Sequence, residues 1–426
     1  MESGAEVVAP SGEWNQDITF TLSPESSMTV HFMMRHSDES VKKLEEHLLK
    51  VSDPRLATYG QYFSIDELSE FMPIDDANIK VVTSFLEAHN AMDYQVNRNK
   101  DIITALIPVA TAQMMFDTSI SMFKHVENGA SLFRATKAYS LPSNVASVVS
   151  LVGDLVLLPS FRFLNTGLRE TYSAWPNDCP GLPLCSGKVT PGVCNQRYKI
   201  SPSVAPGKGK MAVAEFQGQY FDHADLRKFS DGCKVNVTVD EIEGGNDEKA
   251  GVESLLDIEY IKALAPEIPL TVIYATEYSL LKWVQGISND DKTPYIHSVS
   301  YGNDEKQQMS DDYIFSVNTQ LMKAGVRGLS ILFASGDQGV CGREGCGLFM
   351  KTFKPDFPAG SPYVTAVGGT DFLGTSIGEE TAWSASGGGF SNHFGIPDFQ
   401  KELVAKYLAS PDADLPAASM WNRTGR

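Results

Sequence analysis

Residues 251–275 read GVESLLDIEYIKALAPEIPLTVIYA. Gly251 to Ala265 has the apolar spacing of a helix, and Leu270 to Ala275 is a β-forming run of strand length. A helix feeding an apolar strand is the repeating unit of an α/β fold. Within the helix Glu253 and Asp257 stand four residues apart, so both carboxylates share one face. At 100° per residue Tyr260 and Leu264 join that stripe and Leu256 and Ile261 flank it, which leaves Ser254, Glu259 and Lys262 as the wetted arc. Taken alone, the pair reads as a solvated like-charge pair costing about 0.2–0.5 kcal/mol. Set against Leu, Ile and Tyr, the same carboxylates lose hydration, rise in pKa and become able to hold or accept a proton.

The alternation continues on both sides. MAVAEF (211–216), YIHSVS (295–300) and LSILFA (329–334) read as apolar strands, with further helices over 280–287 and 311–325. This predicts a parallel sheet with helices on both faces, whose sites lie beyond the carboxyl ends of the strands. Earlier in the chain MTVHFMM (28–34) reads as a strand, and Glu39 to Val51 as an amphipathic helix closed by Pro54. Ser64 with Glu67 forms a capping box, and Asp76 to Ala88 is another helix. DIITALI (101–107) and Leu132 to Lys137 are extended, with a helical turn at Thr111 to Phe116 between them. That is an α+β unit. Between the two parts, Pro159 to Lys210 is rich in Pro, Gly, Asn and Cys and reads as an exposed linker.

Composition narrows the function classes. The 426 residues carry 35 basic and 53 acidic side chains, a net charge of −18 that repels phosphate backbones and anionic membranes. Nucleic acid is therefore not an expected partner. The longest apolar run, Val145 to Leu158, is interrupted by Ser147, Ser150 and Asp154 and is too short for a membrane span. The first residues lack the basic start and apolar centre of a signal peptide. Cysteines 179, 185, 194, 233, 341 and 346 show no C-x-x-C metal spacing; reduced thiols are the default, with a small 341–346 disulfide as the alternative. Asn236 and Asn422 open glycosylation sequons, which point toward secretion.

The 329–334 run ends in Ser335-Gly336-Asp337-Gln338-Gly339, so Asp337 follows a buried strand on a glycine turn. Such an Asp is commonly a turn residue bonding its own backbone. It can also stabilise an oxyanion, but only when protonated, which calls for acid conditions. Gly374 to Gly378 matches G-x-S-x-G without the required strand and helix, so Ser376 reads as a loop serine. Ser386 to Ser391 (SGGGFS) lacks the ending of a phosphate loop, and His297 reads as a satisfied core residue.

Taken together, ESLLD (253–257), SVSYG (298–302), FASGDQG (333–339) and FPAGSPYVTAVGGT (357–370) resemble the sedolisin family of serine-carboxyl peptidases. KVSDPRLATYGQYFSIDELSEFM (50–72) is similar to the family's activation propeptide, and VTPGVCNQRY (189–198) to the start of its mature enzyme. The resemblance implies a ferredoxin-like α+β propeptide over 18–160 that packs on its own catalytic domain. It further implies a linker with a processing site over 161–188 and a subtilisin-like α/β peptidase domain over 189–426, incomplete at its C-terminus. Glu253 would be the general base, Asp257 its proton-sharing support and Asp337 the oxyanion stabiliser, with Ser300, Tyr301 and Gly302 aligning a peptide substrate. The family's nucleophile sits in a Gly-Thr-Ser-Ala-Ser motif beyond the point matching Asn422 to Arg426, so the serine is absent from this chain, as is the family's calcium loop. The implied reaction is removal of tripeptides from free N-termini in an acidic lysosomal or extracellular setting, with this chain inactive as it stands. A truncated homologue acting as inhibitor or peptide-binding module is the alternative. A glycosidase fits poorly, because its carboxyls flank a sugar bond about 5–9.5 Å apart whereas Glu253 and Asp257 are helical neighbours.

Overall fold

In the computed structural model the strand Ser27–Met34 lies inside a four-stranded antiparallel sheet, in the order Asp93–Val96, Ile102–Pro108, Ser27–Met34, Val149–Gly153. The structure describes residues 14–426 except 92, 127–130, 159–174, 176–177, 183–184, 186, 201–208, 248–250, 277, 309, 344, 346–351, 374–375 and 411–414. His31 pairs with Thr104 on one side and Gly153 on the other. Phe32 from this strand packs on Phe85 of the helix Asp76–Ala88 and on Phe116. The capping box forms as the sequence predicts: Glu67 N donates to Ser64 Oγ (3.2 Å) and Ser64 N to Glu67 Oε2 (2.7 Å). A second sheet joins Trp14–Gln16, Ile120–His125 and Ser131–Ala135. The Val145 to Leu158 run, read from sequence only as too short for a membrane span, contains the strand Val149–Gly153.

The chain divides into two units. The first holds residues up to 161 together with 279–293 and 306–329; the second holds 162–278, 294–305 and 330–426. The helices Leu280–Ser288 and Asp311–Val326 thus belong with the N-terminal strands. Phe63 N donates to Val326 O (2.8 Å), and a side chain on Gly325 would meet Leu48. At the centre of this packing Lys323 donates to Asp101, both about 1% exposed, while Gln320 Nε2 donates to Asp101 Oδ2 at 2.7 Å. Lys323 Nζ also donates to His36 Nε2 at 2.8 Å, which needs that ring nitrogen unprotonated. Burial by itself would raise Asp101, but the Lys323 ammonium against it outweighs burial and holds the carboxyl well below its ordinary value. Burial, helped by Lys323, pushes His36 down.

The second unit is built on a six-stranded parallel sheet, in the order Thr365–Val367, Ser330–Ala334, Ile296–Val299, Met211–Phe216, Leu270–Ala275, Glu241–Glu243. The helices His223–Cys233 and Val252–Leu264 pack with it through Phe221, Leu226, Phe229, Ile258 and Val272. Two expectations change here. The 159–210 stretch is not simply an exposed linker, because it contains the helix Pro191–Tyr198, whose start is capped by Thr190 and by Asp178 accepting from Gly192 N at 2.8 Å. The cysteines are not all reduced: Cys179 is joined to Cys233 across 54 residues, and Cys341 is also disulfide-bonded, while Cys185 and Cys194 are free. Cys346 lies outside the described residues. A link closing a loop of this length stabilises by about 4 kcal/mol in the chain-entropy account. Cysteine spacing alone could not reveal it, since the partners meet only after the linker folds back on the helix His223–Cys233.

The two units respond to acid in opposite directions. In the first, His36 is neutral when folded but takes a proton below about pH 6.5 when unfolded, and Asp101 gains stability only above its unfolded value near 4. Stability of this unit falls as pH drops from 6.5 toward 4, and falls further below 4; His36→Gln flattens the upper part of that loss in chemical denaturation followed by hydrogen exchange. Asp101→Ala costs about 3–5 kcal/mol at pH 7, because Lys323 is left buried and unpaired. In the second unit, burial and the Asp225 charge raise Glu259 to about 7. Its penalty is absent below pH 4.5 and complete above 7, so Glu259→Gln stabilises this unit by about 1 kcal/mol at pH 8, allowing for its partial exposure, and by nothing at pH 4.

Candidate active site

Three neighbouring strands of the parallel sheet, Ser330–Ala334, Ile296–Val299 and Met211–Phe216, end along the same edge. Strands pair about 4.8 Å apart, so segments leaving these three ends emerge within roughly 10 Å of one another. The first leads into Ser335–Gly339 with Asp337, and the second into Ser300–Gly302. The third leads into the 217–220 turn, on which the helix bearing Glu253 and Asp257 is moored. Segments far apart in sequence are gathered where α/β proteins bind ligands.

The mooring consists of hydrogen bonds to one short turn. Gly251 N donates to Tyr220 O (2.6 Å), Ser254 Oγ to the same oxygen (2.6 Å), and Glu253 N to Gln219 Oε1 (3.2 Å). Gly251 is required, since a side chain there would collide with Gln219. Glu253 is 5% exposed, and Asp257 follows one turn later, half-buried. Close by, the buried Tyr301 hydroxyl donates to Glu215 Oε2 (3.2 Å) and accepts from Phe216 N (3.2 Å). Burial pushes the Tyr301 phenol well above its ordinary value, and the charges of Glu215, and then of Glu253 and Asp257, push the same way. Three acids therefore bear on one phenol, Glu215 in direct contact with it. The acid pair is not a solvated surface pair.

The helix face departs from the sequence expectation. Ser254 and Lys262, expected in water, are buried, whereas Val252 is 62% and Leu256 42% exposed. Pairing explains it: Ser254 bonds Tyr220 O, and Lys262 Nζ donates to Asp240 Oδ2 (2.9 Å) and Ile268 O (2.8 Å). A polar side chain whose partners are supplied can be buried at little cost, so hydrophobicity alone does not orient this helix.

Asp337 sits on a turn braced from outside. Gly336 takes φ +97°, a left-handed conformation that suits glycine. Ser335 Oγ donates to Gly387 O (2.9 Å), Gly387 N to Gly336 O (2.7 Å), and Gly339 N to Ala385 O (2.8 Å). The SGGG segment, which lacks the ending of a phosphate loop, is thus a splint for the Asp337 turn. A side chain at Gly387 would drive into the Ser335 carbonyl.

Of the remaining residues singled out, Asn236 is exposed. Asn422 is half-buried, with Nδ2 donating to Ser391 O (2.7 Å) and Oδ1 accepting from Thr424 N (3.1 Å). His297 is a core histidine, its Nε2 2.7 Å from Pro294 O and its pKa pushed down to about 4 by burial. Ser376 lies in an exposed loop, and Gly374 and Thr375 of the same motif are outside the described residues. Sequence reasoning missed Glu215 and Gln219. For Glu215 a signal existed: it is the lone charge in MAVAEF, and a charge in a strand buried on both faces needs a partner. Among the described residues no cluster of three or more His, Cys, Asp or Glu could hold a metal ion, so the calcium implied by resemblance has no fitting site there.

Comparison with known proteins identifies the chain's relatives. Residues 17–157 match the family described as the pro-kumamolisin activation domain. Tripeptidyl-peptidase 1 of Bos taurus is 34% identical over 422 residues, which span 95% of this chain and 72% of that protein. The Homo sapiens protein is 33% identical over 423 residues, with the same coverage. Pseudomonas sedolisin, a serine-carboxyl proteinase solved with two molecules of pseudo-iodotyrostatin, superposes at TM-score 0.41 and 21% identity, covering 50% of this chain and 66% of that one. With one third of its residues identical over nearly its whole length, and an activation domain ahead of its parallel sheet, the chain belongs to the sedolisin family of serine-carboxyl peptidases, on the side of the tripeptidyl-peptidase 1 proteins.

Proposed function

We propose that these residues form the activation domain and the acid-base half of an acid peptidase that removes tripeptides from free N-termini. In this reading Glu253 takes the proton of a serine hydroxyl as it attacks the peptide carbonyl. Asp257 shares that proton and keeps Glu253 oriented. Asp337 donates to the developing oxyanion when its carboxyl carries a proton, and the proton taken from the serine then passes from Glu253 to the leaving amine. A Glu base and a protonated Asp both belong to acid conditions, unlike a histidine-based triad. Ser300–Gly302 aligns the substrate backbone by strand pairing, while the Tyr301 side chain turns inward to Glu215. What supports this reading is that the strands leading into Ser335–Gly339, into Ser300–Gly302 and into the 217–220 turn that moors the Glu253 helix are neighbours in one sheet, in a chain one third identical to tripeptidyl-peptidase 1.

The Gly-Thr-Ser-Ala-Ser pattern of the family's nucleophile does not occur in residues 1–426, so we assign turnover to a polypeptide that also carries that serine. Activation domain and peptidase part in one chain make that polypeptide a zymogen. The Cys179–Cys233 disulfide and the Asn236 and Asn422 sequons favour a lysosomal or secreted location. No described helix is long and apolar enough to cross a membrane.

The 426-residue chain is expected to bind oligopeptides with free amino termini at pH 4–5 without cleaving them. A version extended through a Gly-Thr-Ser-bearing segment is expected to release tripeptides at that pH. In the extended enzyme Glu253→Gln lowers kcat by about 100-fold or more and Asp337→Ala by about 100–1,000-fold, with KM little changed. Steady-state kinetics on a fluorogenic tripeptide amide measures both. Full activity in either variant defeats the assignment, and an extended chain that binds peptide but never turns it over returns the protein to the peptide-binding reading.

A further inference from the structure

Asp356 was not singled out by its sequence and has no part in the chemistry above, yet its carboxylate lies between the two segments that chemistry depends on. It belongs to the short strand Asp356–Phe357, which runs antiparallel to Asn303–Asp304 outside the main sheet, with Asp304 opposite Asp356. Asp356 is 9% exposed. A methyl on Gly302 would fall 2.7 Å from Asp356 Oδ1, and a methyl on Gly336 2.9 Å from Oδ2. One oxygen is therefore seated against the end of the Ser300–Gly302 strip, and the other against the residue preceding Asp337.

The surroundings hold that carboxylate in place. Gly360 N donates to Asp356 O (2.8 Å) and Glu305 N to Pro355 O (2.9 Å). The Arg343 guanidinium donates to the Gly302 carbonyl, while Arg343 N donates to both Asp304 oxygens (3.1 and 3.0 Å). Glu305 accepts from Asn392 N (2.8 Å) and from Ser391 Oγ, which anchors the far end of the SGGGFSN segment that splints the Asp337 turn. Asp304 and Glu305 are seated against Gly342 and Gly360 much as Asp356 is against Gly302 and Gly336. The result is a stiff frame outside the sheet with Asp356 as its inward wedge.

We propose that Asp356 is a positioning residue whose carboxylate sets the gap between the peptide-aligning strip at Ser300–Gly302 and the Asp337 turn. The proposal rests on the roles given to those two segments above. The sheet fixes where the strands end, and Ser335 N donating to Val367 O (2.9 Å) and Gly387 N to Gly336 O (2.7 Å) hold the 335–337 turn from its other side, but neither of these bonds links that turn to residues 300–302. A rigid planar group touching both supplies that spacing. Displacements near 1 Å cost on the order of 100-fold in reactions that depend on alignment.

Three variants of the full chain test this at pH 4.5. Hydrogen exchange is read in 300–304, in 335–339 and in the 211–216 strand as control, and binding is read with a fluorophore-tagged hexapeptide carrying a free amino terminus. Asp356→Asn keeps the wedge and stays within about threefold of the parent in both readouts. Asp356→Ala speeds exchange about tenfold or more in both segments, leaves the control strand unchanged and weakens peptide binding about tenfold. Gly302→Ala alone disturbs the same segments, and adding Asp356→Ala to it restores part of the loss, because the methyl then occupies space the carboxylate has left. Unchanged exchange in Asp356→Ala, or equal loosening of the control strand, overturns the proposal. If the parent binds no peptide while exchange still follows Asp356, the wedge stands and the peptide role of the site falls.

Discussion

Met211–Phe216 is buried at all six positions, and much of the second unit is arranged around that constraint. A strand covered on both faces and paired on both edges must satisfy every polar group it carries within the protein. Its one charge, Glu215, meets the Tyr301 hydroxyl, which ties the strand to the SYG segment of its neighbour. Its carboxyl end becomes the Gln217–Tyr220 turn, whose carbonyl and amide groups take up the first turn of the Glu253 helix. The strand thus determines where the helix begins, and so where both carboxylates stand.

Charge burial recurs in both units with different consequences. In the first, Asp101 and Lys323 are nearly inaccessible and satisfy one another with help from Gln320 and His36. Such a cluster adds little net stability over an apolar core, but losing one member is expensive, so it specifies how strand and helix meet. In the second unit the acids are crowded rather than paired. The charges of Glu215, Glu253 and Asp257 all bear on Tyr301, and Glu259 is raised by burial two residues farther along the same helix. Crowded acids are easiest to hold together when protons are plentiful, which accords with the acid chemistry proposed for this site.

Much of this was legible in the sequence. The capping box at Ser64, the helix over 76–88, the four principal parallel strands and the Asp337 glycine turn all follow from local pattern, because caps, strand-length apolar runs and glycine turns are local physics. The family was readable from short motifs spread over most of the chain. Where pattern failed, the cause was long-range. The Pro191–Tyr198 helix is short and weakly amphipathic, and it draws support from Asp178, a residue that local periodicity ignores.

By itself the sequence determined the alternation of strand and helix, the spacing that puts Glu253 and Asp257 on one helical face, and the glycines that allow the chain to turn beside Asp337. Each of these depends on residues within a few positions of one another. Only the tertiary structure decided which face of that helix is buried, that Cys179 meets Cys233, and that Asp356 is wedged against Gly302 and Gly336. Those outcomes depend on partners tens of residues away or more, whose arrival turns a buried serine, lysine or carboxylate from a penalty into a satisfied group.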